Sequence, residues 1–383
     1  MNVKRPQVAV LQHRLLHYRL GLFEQLRLAC EARGLDLHLI HGDATPNEAV
    51  RKDTGTLPWA TQIKNRVWNI GGRDLLWQPF RNEVRGFDLV VLMQESRLLS
   101  NYPWLFGWGP KATRVGYWGH GRNFQSDAPD GWRERWKGKL LTSVDWWFAY
   151  TDMTASILTQ AGFPSSRVTV LNNAIDNRSF EADLASVPDD EVRSLRASIG
   201  AADGACVGLY CGSLYPDKRL ELMIDACEKV VAKHPGFRMV VIGDGPSRPL
   251  LEGVMNKPWF HWAGAQRGRQ KAAWFRASQL FLNPGLVGLH ILDSFVAGVP
   301  MITTRDAKHS PEVAYLRDGV NGLVTDGTAD AYAAAVQALV EEPARREALA
   351  TQAKADAGHY TLDAMVERFA DGLAACVVAP RKR

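Results

Sequence analysis

At 383 residues, with 46% hydrophobic and 23% charged side chains, the chain carries more apolar material than one core normally holds, since single cores seldom grow past about 250–300 residues. A net charge of +5 favours anionic ligands or an anionic membrane face, and with no Lys/Arg-rich tract or RNA-binding motif it argues against a nucleic-acid partner. Five cysteines without CxxC or framework spacing read as free thiols of a reducing compartment; the start MNVKRPQVAVLQHR lacks a signal-peptide core, and no window approaches ~18 apolar residues, so a cytoplasmic protein without a membrane span is expected.

In chain order, QVAVL (7–11) reads as a buried first strand and His13 to Gly21 as its exit loop. Leu22 to Arg33 has helical spacing with Gly34 as its stop, and DLHLIH (36–41) alternates like a strand. Further strands are expected at Asp88–Met93, Arg114–Trp118, Trp146–Tyr150 and Val168–Leu171. Short strands separated by helix-length segments predict an α/β fold built on a parallel, doubly wound sheet. Such sheets bind ligands at the carboxyl ends of their strands, which promotes His13, His17, Gln94, Glu95 and His120 to candidate site residues. A solvated loop histidine is the plain alternative for each of the histidines, and an ion pair with Arg97 the alternative for Glu95. His120 stands out because glycines flank it directly after a strand.

Ten of the thirteen tryptophans precede residue 150. Arg133 to Lys139, with Trp132, Trp136, Trp146 and Trp147 around it, mixes cations and aromatics as an interfacial helix on an anionic membrane does, or as a packed helix with a solvated basic face does. Asp176 to Gly204 reads as the boundary, a polar stretch followed by a short helix at Asp189–Ile199. The second half then restarts the pattern. Strands are expected at Val207–Cys211, Arg238–Ile242, Phe260–Trp262 and Leu280–Asn283, and helices at Leu220–His234 and Arg269–Ser278. The tail from Leu362 to Val378 reads as helix and the terminal PRKR as frayed.

One stretch of this half concentrates the chemistry. NPGLVGLHILDSFVAGVPMITT (283–304) reads as strand end, glycine turn, a short helix over Leu289–Val296, a stop at Gly298 and Pro300, and a next strand. The start of such a helix presents unpaired N–H groups and a positive dipole end, suited to a phosphate, and glycine lets backbone approach a ligand. Asp293, about one turn in, is placed to take ribose hydroxyls. An ordinary strand–helix unit with Asp293 facing water is the alternative.

TDMTASILTQAGFPSSRVTVLNNAID, GSLYPDKRLELMIDA, VVIGDGP and PGLVGLHILDSFVAGVPMIT, in this order and spacing, resemble the GT-B glycosyltransferases of glycosyltransferase family 4, most clearly from about Thr151 to Val324. The resemblance implies two Rossmann-like doubly wound domains facing across a cleft. Residues 1–178 would bind the acceptor, residues 179–361 the nucleotide-sugar, and the helix 362–378 would return to the first domain. It assigns Lys218 to the donor diphosphate, Asp293 to the ribose, backbone of Val287, Gly288 and Leu289 to the sugar and phosphate, and Ala265 to the base. Gly243 of the GDGP block joins the donor site, and His120 matches the family's active-site histidine.

Two positions depart from the pattern. Gly285 stands where the first acid of the family's Glu-x7-Glu pair belongs, and Ser213 where an arginine usually accompanies the lysine, with Arg219 as a possible substitute. A retaining path would use the donor's own phosphate oxygen as base, whereas an inverting path would need a side chain such as Glu95 or His17. The expectation is therefore a metal-independent glycosyltransferase with no cofactor besides its nucleotide-sugar co-substrate, a UDP-sugar by preference. The acceptor would be a glycan or a lipid-linked molecule, in surface polysaccharide or lipopolysaccharide assembly, at the inner membrane face. The rivals are a GT-B epimerase or phosphorylase, or a catalytically silent nucleotide-sugar-binding subunit.

Overall fold

A computed structural model describes residues 4–50, 53–121, 138 and 140–382. Of the basic, aromatic stretch 132–139, all but Gly138 lies outside the described residues. The chain divides into two compact units, the first made of Met1–Asp176 with Leu362–Arg383 and the second of Asn177–Thr361.

The first unit is built on β1 (Gln7–Gln12), β2 (Asp36–His41), β3 (Thr61–Gln62), β4 (Arg66–Ile70), β5 (Arg73–Trp77), β6 (Leu89–Met93), β7 (Arg114–Gly119), β8 (Trp146–Ala149) and β9 (Val168–Val170). Seven of these form one parallel sheet in the order β3-β2-β1-β6-β7-β8-β9, while β4 and β5 pair antiparallel as a separate hairpin. The central strands are near-continuous runs such as VAVL and LVVLM because helices cover both faces of a parallel sheet, so no polar side is needed. The order reverses direction at β1, the doubly wound pattern whose ligand site lies at the strands' carboxyl ends.

Trp146 and Trp147 belong to β8, where a strand was expected, and are buried: a WWFA strand inside a covered sheet spends its aromatics on the core. The hairpin went unread in the sequence. Gly71 and Gly72, at φ +58° and +76°, supply the two left-handed residues that a tight two-residue hairpin turn needs.

The helix Leu362–Val378 closes this unit. It packs on the helix Leu20–Ala32, sets Phe369 against Trp118 and Phe148 at ring distances of 5.1 and 4.9 Å, and offers Glu367 and Asp371 to Arg33. Beyond it the described residues, 379–382, are not frayed. The Ala379 carbonyl accepts from Arg114, the Pro380 carbonyl accepts from Arg167, and the Lys382 N–H donates to Asp145. The expected fraying fails because the backbone of these residues is held by hydrogen bonds.

The second unit is a six-stranded parallel sheet of β10 (Val207–Cys211), β11 (Arg238–Ile242), β12 (Phe260–Gly264), β13 (Leu280–Leu282), β14 (Met301–Thr304) and β15 (Gly322–Thr325), in the order β12-β11-β10-β13-β14-β15. The edge strand β15 and the helices Ala329–Glu341 and Pro343–Ala357 extend this unit beyond the 283–304 stretch. Part of the boundary region is helical as well: Arg178–Ser186 is a helix whose buried residue, Phe180, packs on Phe275. Among the described residues no helix is long and apolar enough to cross a membrane, and no group of three His, Cys, Asp or Glu side chains is placed to hold a metal ion.

Candidate functional site

Strands β1, β6 and β7 are neighbours in the first sheet, so the residues that follow them meet. His13, Gln94, Glu95 and His120 leave these three strand ends; the loops after β6 and β7 border a cavity of about 530 Å³ lined by Glu95, Arg97, Trp118, His120 and Tyr150 among others, and His13 contacts its Glu95. The parallel-sheet rule thus brings four of its five candidates together. It does not bring in His17, which is exposed in the short helix His17–Arg19 with both its backbone N–H and its Nδ1 at the Asp53 carbonyl.

Around His13 the structure builds a charge network. Its Nδ1 lies 3.3 Å from Glu95 and its Nε2 lies 3.1 Å from Glu48. Arg97 reaches Glu95 and Glu48 at 2.7 Å each. Burial alone would lower the His13 pKa, but the two carboxylates outweigh it and raise it. Burial would raise the Glu95 pKa, yet His13 and Arg97 bring it down to about 2. Glu95 is therefore a firmly ionised carboxylate with both oxygens engaged. Glu48 escaped the sequence reading because it sits 35 residues from His13, on the four-residue helix Pro46–Ala49. The T-x-x-E spacing of Thr45 and Glu48 is the signal that could have placed it, since the Thr45 N–H donates to Glu48 as in a capping box.

His120 is held by its neighbours. The Gln94 side-chain amide spans the turn that carries it, donating to the Gly121 carbonyl and accepting from the Gly121 N–H at 3.0 and 2.8 Å. The ring packs edge-on against Tyr150, 4.3 Å between centroids. Burial, assisted by the nearby Arg19 guanidinium, lowers its pKa to about 4, so it is neutral at physiological pH.

In the second unit the turn after β13 is braced from beneath. Asn283 donates toward the Gly285 and Leu286 carbonyls, and Thr304 Oγ1 donates to the Pro284 carbonyl at 2.6 Å. His309 accepts from the Val287 N–H through Nδ1, which fixes its proton on Nε2, where it donates to the Thr304 carbonyl at 2.6 Å. The Val287 N–H, expected at the ligand, is thus already taken. Gly288 and Leu289 lead into the helix His290–Ala297, which Gly298 ends in the left-handed conformation.

Lys218 lies beside this turn. Its ammonium donates to the Leu286 carbonyl, and the Leu286 N–H donates back to the Asp217 carbonyl at 2.8 Å, so two loops are clasped together. A Cβ on Gly285 would fall on the Asp217 carbonyl oxygen and the Lys218 backbone. Glycine is required for this approach, and no carboxylate side chain can occupy that position in this conformation. Burial lowers the Lys218 pKa to about 8.

Arg219 bonds Asp306 at 2.9 Å and Thr304 at 3.2 Å, and Ser213 is exposed. Gly243 packs against the Gly212 carbonyl, where a Cβ would collide, and the exposed Ala265 follows β12. Asp293 is buried and pairs with Lys271 at 2.8 Å, a partner the sequence did not indicate because it comes from a different helix, Gly268–Ala277. Burial raises the Asp293 pKa against the opposing pull of Lys271.

Residues 205–342 match the family model described as Glycosyl transferases group 1. The chain is 21% identical over 162 residues to the alpha-monoglucosyldiacylglycerol synthase of Acholeplasma laidlawii, covering 40% of this chain and 39% of that protein. It is 30% identical over 219 residues to the D-inositol 3-phosphate glycosyltransferase of Rhodococcus opacus (strain B4), covering 52% and 47%. The chain therefore spans about half or less of the length of these curated relatives. The crystal structure of Anabaena Alr3699/HepE in complex with UDP superposes with a TM-score of 0.65 at 15% identity, over 97% of this chain and 100% of that one.

Proposed function

The chain resembles the group 1 glycosyltransferases and has their GT-B fold, and on that premise we propose that it moves a sugar from a nucleoside diphosphate donor, UDP-sugar by preference, to a glycan or lipid-linked acceptor. The observation that carries this reading is the clasp in the second unit. Lys218 is fixed beside the turn that opens the helix His290–Ala297, with Asp293 one turn along it. A departing nucleoside diphosphate gains negative charge in the transition state, so a cation and a helix N-terminus fixed in advance stabilise that state preferentially. The preference for UDP rests on the family resemblance and on the UDP bound to Anabaena Alr3699/HepE. The lipid-linked acceptor draws support from the Acholeplasma relative's lipid product, and surface-glycan assembly is the setting the family resemblance favours.

The state of the side chains supports a retaining path. Glu95, held near pKa 2, is a weak base, and a base works best with a pKa near the operating pH. His17, the other candidate, lies exposed outside the described cavity lining. With neither suited to deprotonate an acceptor, the departing phosphate oxygen, which gains basicity as its bond to the sugar breaks, is the better base, and neutral His120 acts as a hydrogen-bonding and positioning group.

A second reading, a silent nucleotide-sugar-binding subunit, is favoured by one observation: the steric closure of the Gly285 position against the family's first acid. A thermal-shift panel of UDP, GDP, dTDP and CDP beside UMP and GMP tests the shared donor site. One diphosphate is expected to stabilise the protein well above its monophosphate, and no shift by any of them would sink both readings. Sugar transfer into a membrane extract, lost in His120→Ala, would then leave only the enzyme.

A further inference from the structure

The hairpin of β4 and β5 carries a face that the described site does not use. Its register pairs Arg66 with Trp77, Trp68 with Leu75, and Ile70 with Arg73. Residues directly opposite one another in an antiparallel pair lie on the same face, so these six form one surface. Trp68, Ile70 and Trp77 are 46%, 64% and 36% exposed, and both arginines are exposed. The opposite face carries Val67 and the fully buried Leu76, which pack on the unit, and toward the turn the exposed Asn69 and half-buried Asp74. The hairpin's only carboxylate, Asp74, is on that opposite face, where it accepts from Asn69 and Asn47.

We propose that this face is a docking surface for an anionic lipid bilayer. Tryptophan, isoleucine and leucine between two arginines, with the hairpin's one carboxylate on the other face, match the chemistry of a membrane interface. Indole rings settle at the level of the headgroups, the aliphatic side chains enter the acyl boundary and the guanidinium groups pair with lipid phosphates. A soluble partner protein has no need of cations at both ends of an aromatic stripe. A second copy of the chain would set arginine against arginine wherever the stripes met in register.

The position of the hairpin adds a reason. The Leu76 N–H donates to the Arg97 carbonyl at 2.9 Å, so β5 is stitched to the loop that borders the 530 Å³ cavity beside Glu95 and His120. A hairpin lying on the bilayer would hold that cavity next to an acceptor that never leaves the membrane. In this respect the inference rests on the lipid-linked acceptor of the proposed function, but the contact itself is read without turnover.

Flotation of the full chain with phosphatidylcholine vesicles, and with vesicles containing one-quarter phosphatidylglycerol, tests it. The wild type is expected to float with the anionic vesicles only, and to be released as salt is raised. Arg66→Gln with Arg73→Gln should weaken binding about fivefold for each arginine removed. Trp68→Ser with Ile70→Ser should weaken it at least tenfold while the UDP thermal shift is unchanged, which reports that the fold is intact. Flotation of both double variants like the wild type would overturn the proposal. So would a wild type that fails to float, whether it stays monomeric or associates with itself through this face on dilution-dependent sedimentation. Loss of UDP binding with flotation intact would strike the glycosyltransferase reading and leave the membrane contact standing.

Discussion

The two units hold their polar residues under opposite electrostatic rules. In the first, His13, Arg97, Glu48 and Glu95 cancel one another, and nearly every acceptor and donor is spent inside the network. In the second, the Lys218 ammonium donates to the Leu286 carbonyl and forms no ion pair among the described residues, so its charge is left without a contacting carboxylate beside a helix start. A balanced, pre-assembled pocket suits a neutral hydroxyl ligand, which it can orient without being rearranged. A pocket with surplus charge suits an anion, whose binding replaces the missing counter-charge.

If that division is right, damage to the two sites should separate cleanly. The largest effect is expected for His120→Ala, with transfer falling about 10²–10⁴-fold, the range for loss of a positioned proton-handling or hydrogen-bonding group. The thermal shift with UDP should not change, because His120 belongs to the first unit. A variant that lost UDP binding to the same degree would break the division.

Next in size, Lys218→Ala should weaken UDP binding about 10–100-fold, as expected for removing a charge-assisted hydrogen bond or two, and leave uridine binding almost as it was. The pH dependence sharpens this. Burial holds the free Lys218 near pKa 8, and only the protonated amine complements a diphosphate. UDP affinity should therefore be level between the terminal phosphate's own pKa of about 6 and that pH, and fall as the pH rises through about 8. Lys218→Arg, whose guanidinium stays protonated, should flatten the profile, and an unchanged alkaline fall in that variant would place the titrating group elsewhere.

The contrast also explains what could be read in the sequence. The parallel strands were legible because burial on both faces forces continuous apolar runs, and the strand-end rule then gathered His13, Gln94, Glu95 and His120 without knowledge of the strand order. Glu48's place at a helix start was legible in T-x-x-E, but its pairing with His13 was not, nor was that of Lys271 with Asp293. Each reaches its partner from a helix distant in sequence, and neither spacing nor composition records which helix packs where. The hairpin was recoverable, since Gly71-Gly72 between RVWNI and RDLLW is a turn signal, but its strands have an exposed face and lack the apolar continuity that marks the others. Edge elements such as β15 were missed for a similar reason: a four-residue strand following a loop carries too short a pattern to stand out.

A smaller effect tests the clasp that makes the second site possible. Gly285→Ala should destabilise the protein by about 1–3 kcal/mol, the usual cost of forcing an extra carbon into a packed position, because the new Cβ meets the Asp217 and Lys218 backbone. Gly285→Glu, although it restores the family's acid, should do worse in the melt and gain no activity. Rescue of activity by that substitution would mean the loop 216–218 yields readily, and the structural account of the missing acid would fall.

The smallest effect concerns how Asp293 is kept charged. Burial pushes its carboxyl toward the neutral form and Lys271 opposes this from 2.8 Å. An ionised carboxylate can accept from both ribose hydroxyls, whereas a protonated one must give up an acceptor position to its own proton. Lys271→Met should therefore reduce the preference for UDP over 2′-deoxy-UDP about three- to tenfold, the worth of one hydrogen bond, and Lys271→Arg should restore it. Asp293→Ala should remove the preference altogether. The discriminating result is the ratio between the two ligands. If Lys271 touched the phosphates itself, its loss would weaken both nucleotides equally and leave the ratio alone, and the second unit would then have two phosphate cations and no device for reading the sugar of the nucleotide.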